Sequence, residues 1–76
     1  MQKNNLRIYL NQEVKNPNDL CMELLEELNK LELEKEGQKL EIISPILLND
    51  FSLEQKMQIL HKFLELRVVF KFISKS

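Results

Sequence analysis

The pattern of apolar and polar positions predicts three strands that alternate with two helices. Residues 6–10 place an apolar side chain at every second position, and residues 68–73 are rich in β-branched and aromatic side chains. A shorter apolar run, residues 40–43, lies between them, and helical spacing dominates the two stretches in between. The order β-α-β-α-β is typical of parallel strands joined by right-handed crossovers. We predict a small single-layer α/β domain with a mostly parallel three-stranded sheet and two amphipathic helices.

The first helix has a clear start and one apolar face. Asn16 can cap it, Pro17 suits its first position and Asp19 adds negative charge to the first turn. The apolar face consists of Cys21, Leu24, Leu25, Leu28 and Leu31. Gly37 is the only glycine and accepts left-handed backbone without penalty, so we expect it to end this helix.

The second helix has apolar residues around about half of its circumference. Ser52 and Gln55 fit a capping box at its start. One stripe consists of Leu53, Met57, Leu60 and Leu64, and a second set widens it, namely Ile59, Phe63 and Leu66. Such a helix should be covered on two sides, by the sheet and by something else.

Two segments leave alternatives open, one after the middle strand and one at the last strand. Pro45 interrupts the middle apolar run, so residues 46–48 either continue the strand past a bulge or form an apolar loop. Residues 68–73 carry apolar side chains on both faces, which predicts that this strand lies inside the sheet or is covered by a partner. An all-helical hairpin is the alternative fold, and it does not explain residues 68–73.

Length and charge narrow the class of protein. Seventy-six residues allow one domain, residues 1–76. The net charge of −1 lacks the basic excess that nucleic-acid binding needs, so a nucleic-acid-associated role is the weakest hypothesis. It would use Lys62, Arg67, Lys71 and Lys75. The polar N-terminus and the lack of a long apolar run favour a soluble, cytoplasmic protein without a membrane span.

No motif in the sequence indicates catalysis. His61 is the only histidine, and a metal site needs several convergent ligands, so we expect only a surface contact with Glu65. A single cysteine allows neither an internal disulfide nor a cysteine-based zinc site. One glycine cannot build a phosphate-binding loop. We therefore predict a protein that is not an enzyme, with no catalytic residue, metal, cofactor or small-molecule substrate.

Cys21 supports one alternative function. It lies near the start of the first helix, where the helix dipole can lower a thiol pKa, but it also lies on the apolar face, where cysteine usually acts as a small core residue. The spacing from Cys21 to Gly37 resembles that of TusA-type sulfur carriers, whose acceptor cysteine opens a helix that a glycine follows. Met22 and Leu24 stand where that family has prolines. The resemblance implies a sulfur carrier or another thiol-dependent protein acting through Cys21.

The layout of the chain is similar to a shortened STAS domain, the fold of anti-sigma-factor antagonists. Residues 40–44 match its strand and residues 12–14 lie near its Gly-Glu-Leu turn; further positions match its apolar loop and helix cap, namely Ile46, Leu48, Asp50 and Ser52. Phe51 stands at the family's phosphorylatable serine and Leu53 at its usual glycine. Ser52 is an adjacent candidate for modification. Helix capping alone also explains Asp50 and Ser52.

These observations favour a regulatory or protein-protein interaction module, a STAS-like adaptor that forms a homodimer or binds a larger partner. The predicted contact residues lie at the start of the second helix and in the last strand, namely Asp50, Phe51, Ser52, Phe70 and Phe72. Phe51 is either an exposed aromatic anchor or a core residue.

Overall fold

The computed structural model describes residues 5–31 and 37–74 and shows the predicted order of elements. The elements are β1 (Asn5–Tyr9), α1 (Pro17–Lys30), β2 (Lys39–Ser44), α2 (Leu53–Leu66) and β3 (Val69–Ser74), with a 3₁₀ turn at Leu48–Asp50 before α2. The α/β fold class is thereby confirmed. The helical-hairpin alternative is wrong, because the last segment is a strand of the sheet.

Strand β2 is the centre of the sheet. It pairs in parallel with β1 on one side and with β3 on the other, so that Ile8, Ile42 and Phe72 lie in one row. The N–H of Leu10, just beyond β1, donates to the carbonyl of Ile43 at 3.0 Å. Because β3 pairs only with β2 among the described strands, it is an edge strand and does not lie inside the sheet. Cover by a partner, the other sequence-based alternative, stays a prediction.

Both helices pack on the same face of the sheet. Strand order follows chain order, so each right-handed crossover advances in the same direction and leaves its helix on the same side. One core results, built from Ile8, Leu10, Leu40 and Ile42 of the strand layer and Leu20, Leu24, Leu28, Ile59 and Phe63 of the helices. The opposite face carries the ion pair between Arg7 Nε and Glu41 Oε1, 2.7 Å apart.

Helix α1 begins as predicted and ends earlier than predicted. Asn16 is its cap, and its side chain accepts a hydrogen bond from the N–H of Asn18 at 2.8 Å. The helix ends at Lys30, where Leu31 turns to extended backbone. The expectation that Gly37 ends it is wrong: Gly37, with a φ of 79°, lies in the turn before β2, and residues 32–36 lie outside the described ranges.

The segment after β2 is a loop. Ser44 ends the strand, and its buried hydroxyl donates to the carbonyl of Ile46 at 2.7 Å and accepts from the N–H of Ile46 at 3.1 Å. Pro45 lies within this turn, so the strand does not continue past a bulge. The apolar-loop alternative for residues 46–48 is the one that the structure shows.

The core position of Ile59 gives a first prediction. Ile59 on α2 is fully buried, so removing one methylene in Ile59→Val should lower the free energy of unfolding by about 0.5–1.5 kcal/mol. Met22 on α1 is exposed, and Met22→Ala should change it by less than about 0.5 kcal/mol. Urea denaturation of both variants makes the comparison. Equal losses in the two variants would contradict the assignment of the core.

Candidate protein-binding surface

The carboxyl ends of the strands are the usual ligand site of a parallel sheet. Here their polar groups bind the loops themselves: the amide of Gln12 donates to the carbonyls of Leu10, at 2.8 Å, and Ile43, at 3.3 Å, and the Ser44 hydroxyl is engaged by Ile46. Within residues 5–31 and 37–74, no group of three or more His, Cys, Asp or Glu side chains could hold a metal ion. The polar groups at this edge therefore hold the loops in place.

His61 lies on the exposed side of α2. Its Nε2 is 3.4 Å from Glu65 Oε2, one turn further along the helix, and Lys62 Nζ is 3.5 Å from the other oxygen of the same carboxylate. This is the surface contact expected from the four-residue spacing. Such exposed pairs add little to stability.

Cys21 is buried between the helices. Its Sγ is a weak donor to Oε1 of Gln58 on α2, 3.9 Å away. Burial raises the pKa of the Cys21 thiol, which favours the neutral form over the nucleophilic thiolate. The thiol's contribution to folding stability is therefore present at neutral pH and is lost as the pH rises through the folded-state pKa. Both properties are unfavourable for a sulfur carrier, which needs an accessible thiolate.

The burial of Cys21 predicts its reactivity. In the native protein at neutral pH, iodoacetamide should alkylate Cys21 at least about tenfold more slowly than in denaturant, because the thiol is protonated and enclosed. Mass spectrometry of samples quenched over time measures both rates. Equal rates with and without denaturant would show an accessible thiol and would restore the carrier hypothesis.

The start of α2 is held by local hydrogen bonds. Asp50 Oδ2 accepts from the N–H of Leu47 at 2.9 Å. Ser52 and Gln55 form the predicted capping box: the N–H of Gln55 donates to Ser52 Oγ at 3.1 Å, and the N–H of Ser52 donates to Gln55 Oε1 at 2.9 Å. Capping accounts for both predicted contact residues, although both side chains face solvent.

The capping box predicts a loss of stability on its removal. Ser52→Ala deletes the acceptor for the N–H of Gln55 and should lower the free energy of unfolding by about 1 kcal/mol. Ser52→Asp keeps an acceptor and adds negative charge at the helix N-terminus, so it should retain most of that stability. Thermal denaturation followed by circular dichroism measures both. A full loss in Ser52→Asp would contradict the cap.

The three aromatic side chains predicted to contact a partner pack inward. Phe51 is buried, and its ring meets that of Phe72 edge to face with centroids 6.1 Å apart. Phe70 stacks on Phe63 of α2 at 4.2 Å. Phe51 is thus a core residue, the second of its two sequence-based alternatives, and its ring is not a surface anchor in this fold. The rings of Phe70 and Phe72 are half-buried and face the helices.

What β3 presents outward is backbone. The N–H of Val69 donates to the carbonyl of Gln38 at 2.9 Å, so Val69 and every second residue after it point their backbone groups towards β2. The backbone groups of Phe70 and Phe72 therefore point away from the sheet. No strand among the described residues pairs with this side, which we call the outer edge of β3.

The rotation of α2 determines which apolar set faces solvent. Ile59 and Phe63 are buried against the sheet, and Gln55 and Gln58 meet α1 through hydrogen bonds to Asn18 and Cys21. At about 100° per residue, the remaining apolar side chains lie on the flank away from α1. They are Leu53, Met57, Leu60 and Leu64, which we call the apolar stripe.

Three of the four side chains of the apolar stripe are highly exposed, and that of Leu60 is partly exposed. The exposed fractions are 71% for Leu53, 62% for Met57, 37% for Leu60 and 76% for Leu64. Four large apolar side chains in a row along one helix form a contiguous patch. Glu54, Gln58 and His61 border it on its solvent side. Contiguous apolar patches with a polar border are typical of interaction sites.

The sequence shows both apolar sets of α2 but does not indicate which of the two faces solvent. Both apolar sets of α2 have helical spacing, and the spacing alone does not show which of them faces the sheet. The available signal was the width of the apolar surface, which predicted cover on a second side. The stripe residues were therefore identified as apolar, but they were not predicted as contact residues.

The basic residues of the nucleic-acid hypothesis occupy different elements. Lys62 lies on α2 beside Glu65, Arg67 is the C-cap of α2, and Lys71 lies on the sheet face opposite the helices. Lys75 lies outside the described residues. These positions give no observation in favour of a phosphate-binding surface.

No protein-family model matches the chain, and no curated protein or solved structure matches it. The STAS and TusA resemblances therefore stay predictions. Neither helix in the described ranges is long and apolar enough to cross a membrane.

Proposed function

We propose that this protein is a non-enzymatic interaction module that binds another protein surface through the apolar stripe of α2. The observation that carries the proposal is the exposure of four consecutive stripe residues on a helix whose other apolar face already packs on the sheet. The stripe is not needed to complete the core. Its burial against a partner would remove apolar surface from water at about 25 cal/mol per Å².

The chemistry of the stripe indicates the kind of partner. Leucine and methionine side chains along one side of a helix fit an apolar helix face or groove, the contact mode of many helix-mediated interactions. The polar border supplies orientation, with Glu54 and His61 on its solvent side. The partner surface should therefore be apolar at its centre and polar at its rim.

The outer edge of β3 is a second binding surface in the proposal, separate from the stripe. Its outward backbone groups can accept a strand from a partner, and sheet edges of this kind are known sites of association. Strand β3 thus remains in the proposed contact surface, as the sequence predicts. It contributes its backbone groups, because the rings of Phe70 and Phe72 face the helices. Regulation through Ser52 and a cytoplasmic location remain part of the proposal.

Site-specific photo-crosslinking tests the proposal. Replacing Met57 in the stripe by p-benzoylphenylalanine, in the cells that make the protein, should yield one defined covalent adduct on irradiation. The same replacement at Met22 is the matched control, since Met22 is 64% exposed on α1 and lies outside the stripe. Mass spectrometry identifies the species that is joined.

Two results would count against the proposal. An absence of adducts from position 57 would show that the stripe contacts no protein. The same adducts from positions 57 and 22 would show collision without a specific surface.

A further inference from the structure

We infer that the partner of the apolar stripe is the stripe of a second copy of this chain, with the two α2 helices packed antiparallel. The inference rests on the proposed function, because it names the partner of the same surface. Three features of the described residues support it: the spacing of the stripe, the charges beside it and the position of α2 over the sheet.

The spacing of the stripe is the same in both directions. Its residues are separated by four, three and four positions, the spacing of apolar residues in paired helices. Reversing the helix therefore superimposes apolar positions on apolar positions. In an antiparallel pair, Leu53 lies opposite Leu64 of the second copy, and Met57 lies opposite Leu60 of the second copy. Every large side chain of the stripe then meets another.

Charge complementarity favours the antiparallel orientation. Glu54 and His61 flank the stripe on the same side, Glu54 in the first turn of α2 and His61 just past its middle. An antiparallel second copy brings its His61 beside Glu54, and by symmetry this contact forms twice. An imidazole N–H can donate to a carboxylate whether the ring is neutral or protonated. A parallel pair would instead bring Lys56 near His61 of the second copy and would align the helix dipoles.

The width of the sheet indicates that the copies do not join their sheets. Three strands span about 9.6 Å, which is also about the distance between the axes of two packed helices. The helices α1 and α2 therefore fill the layer above the sheet. The stack of Phe63 on Phe70 places α2 over β3. Antiparallel pairing of β3 with β3 of a second copy, with the helices of both on one face, would bring the two α2 axes to about one strand spacing, closer than helices pack. A contact between the two α2 helices avoids this clash.

The sheet face opposite the helices is a poorer candidate for self-association. A row of charged residues crosses it, formed by Arg7, Glu41 and Lys71 in register, next to an apolar row formed by Tyr9, Ile43 and Ile73. The ion pair between Arg7 and Glu41, at 2.7 Å, would lose its water on burial. The apolar stripe has no charged residue among its four members.

The dimer should be weak. Four side chains per copy are fewer than the roughly 20–30 residues a side of a standard interface. We therefore expect a dissociation constant in the micromolar range or above, which requires measurements from about 1 µM to about 1 mM.

Analytical ultracentrifugation of the purified full chain over that range tests the inference. The wild-type chain should shift from monomer to dimer with rising concentration. Met57→Glu should raise the dissociation constant at least about tenfold, because it places a carboxylate against Leu60 of the second copy. Met22→Glu is the matched control, with the same change at similar exposure on α1, and should alter it less than about twofold. Circular dichroism confirms that both variants keep their helices.

A charge exchange tests the orientation. Glu54→Lys replaces the carboxylate acceptor of the antiparallel contact by a second donor beside the His61 imidazole, and His61→Glu places two carboxylates there, so each should weaken the dimer. The double variant Glu54→Lys/His61→Glu places a Lys opposite a Glu and should recover most of the wild-type affinity. Recovery is specific to the antiparallel contact, since a loss of helix stability would be additive in the double variant.

Three outcomes would overturn the inference. They are a chain that stays monomeric to 1 mM, a dimer that Met57→Glu does not weaken, and a double variant weaker than both single variants. If the chain is monomeric while position 57 crosslinks to a different protein, the proposed function stands and only the identity of the partner is wrong. If position 57 gives no adduct and the chain is monomeric, both fail.

Discussion

The stacking of Phe63 on Phe70 fixes the rotation of α2, and the surface of the molecule follows from it. The two rings lie 4.2 Å apart, beside the fully buried Ile59, and attach α2 to the last strand. Once these side chains face the sheet, Gln58 faces α1 and the stripe faces solvent. A helix with apolar residues around half of its circumference cannot bury all of them on a sheet that it shares with α1.

The small size of the chain also explains why side chains with reactive or polar groups stabilise the fold. Ser44 closes a turn, Ser52 caps a helix, and Cys21 is buried between the helices, where burial raises the pKa of its thiol. A chain of 76 residues has one small core, and Ser44, Ser52 and Cys21 support the fold around it. The exposed apolar stripe is the observation that favours association as the proposed activity.

The sequence predicted the element order, the start of α1 and the capping box of α2, because these depend on local chemistry that a pattern records. It did not predict the end of α1, since Gly37 has the expected left-handed backbone but uses it in the turn into β2. It also could not place β3 at the edge of the sheet or choose between the two apolar sets of α2. Those features depend on contacts between distant segments. For the apolar stripe, the sequence predicts only that α2 is covered on a second side.

The proposed association requires that the stripe faces solvent in the monomer. Solvent paramagnetic relaxation of methyl groups, measured by NMR on a dilute sample with a soluble gadolinium chelate, reports that orientation residue by residue. We expect strong relaxation of the methyl groups of Met57 and Leu64 and weak relaxation of those of Ile59. Strong relaxation of Ile59 with protection of Met57 and Leu64 would contradict this orientation, because α2 would then be rotated with the stripe on the sheet.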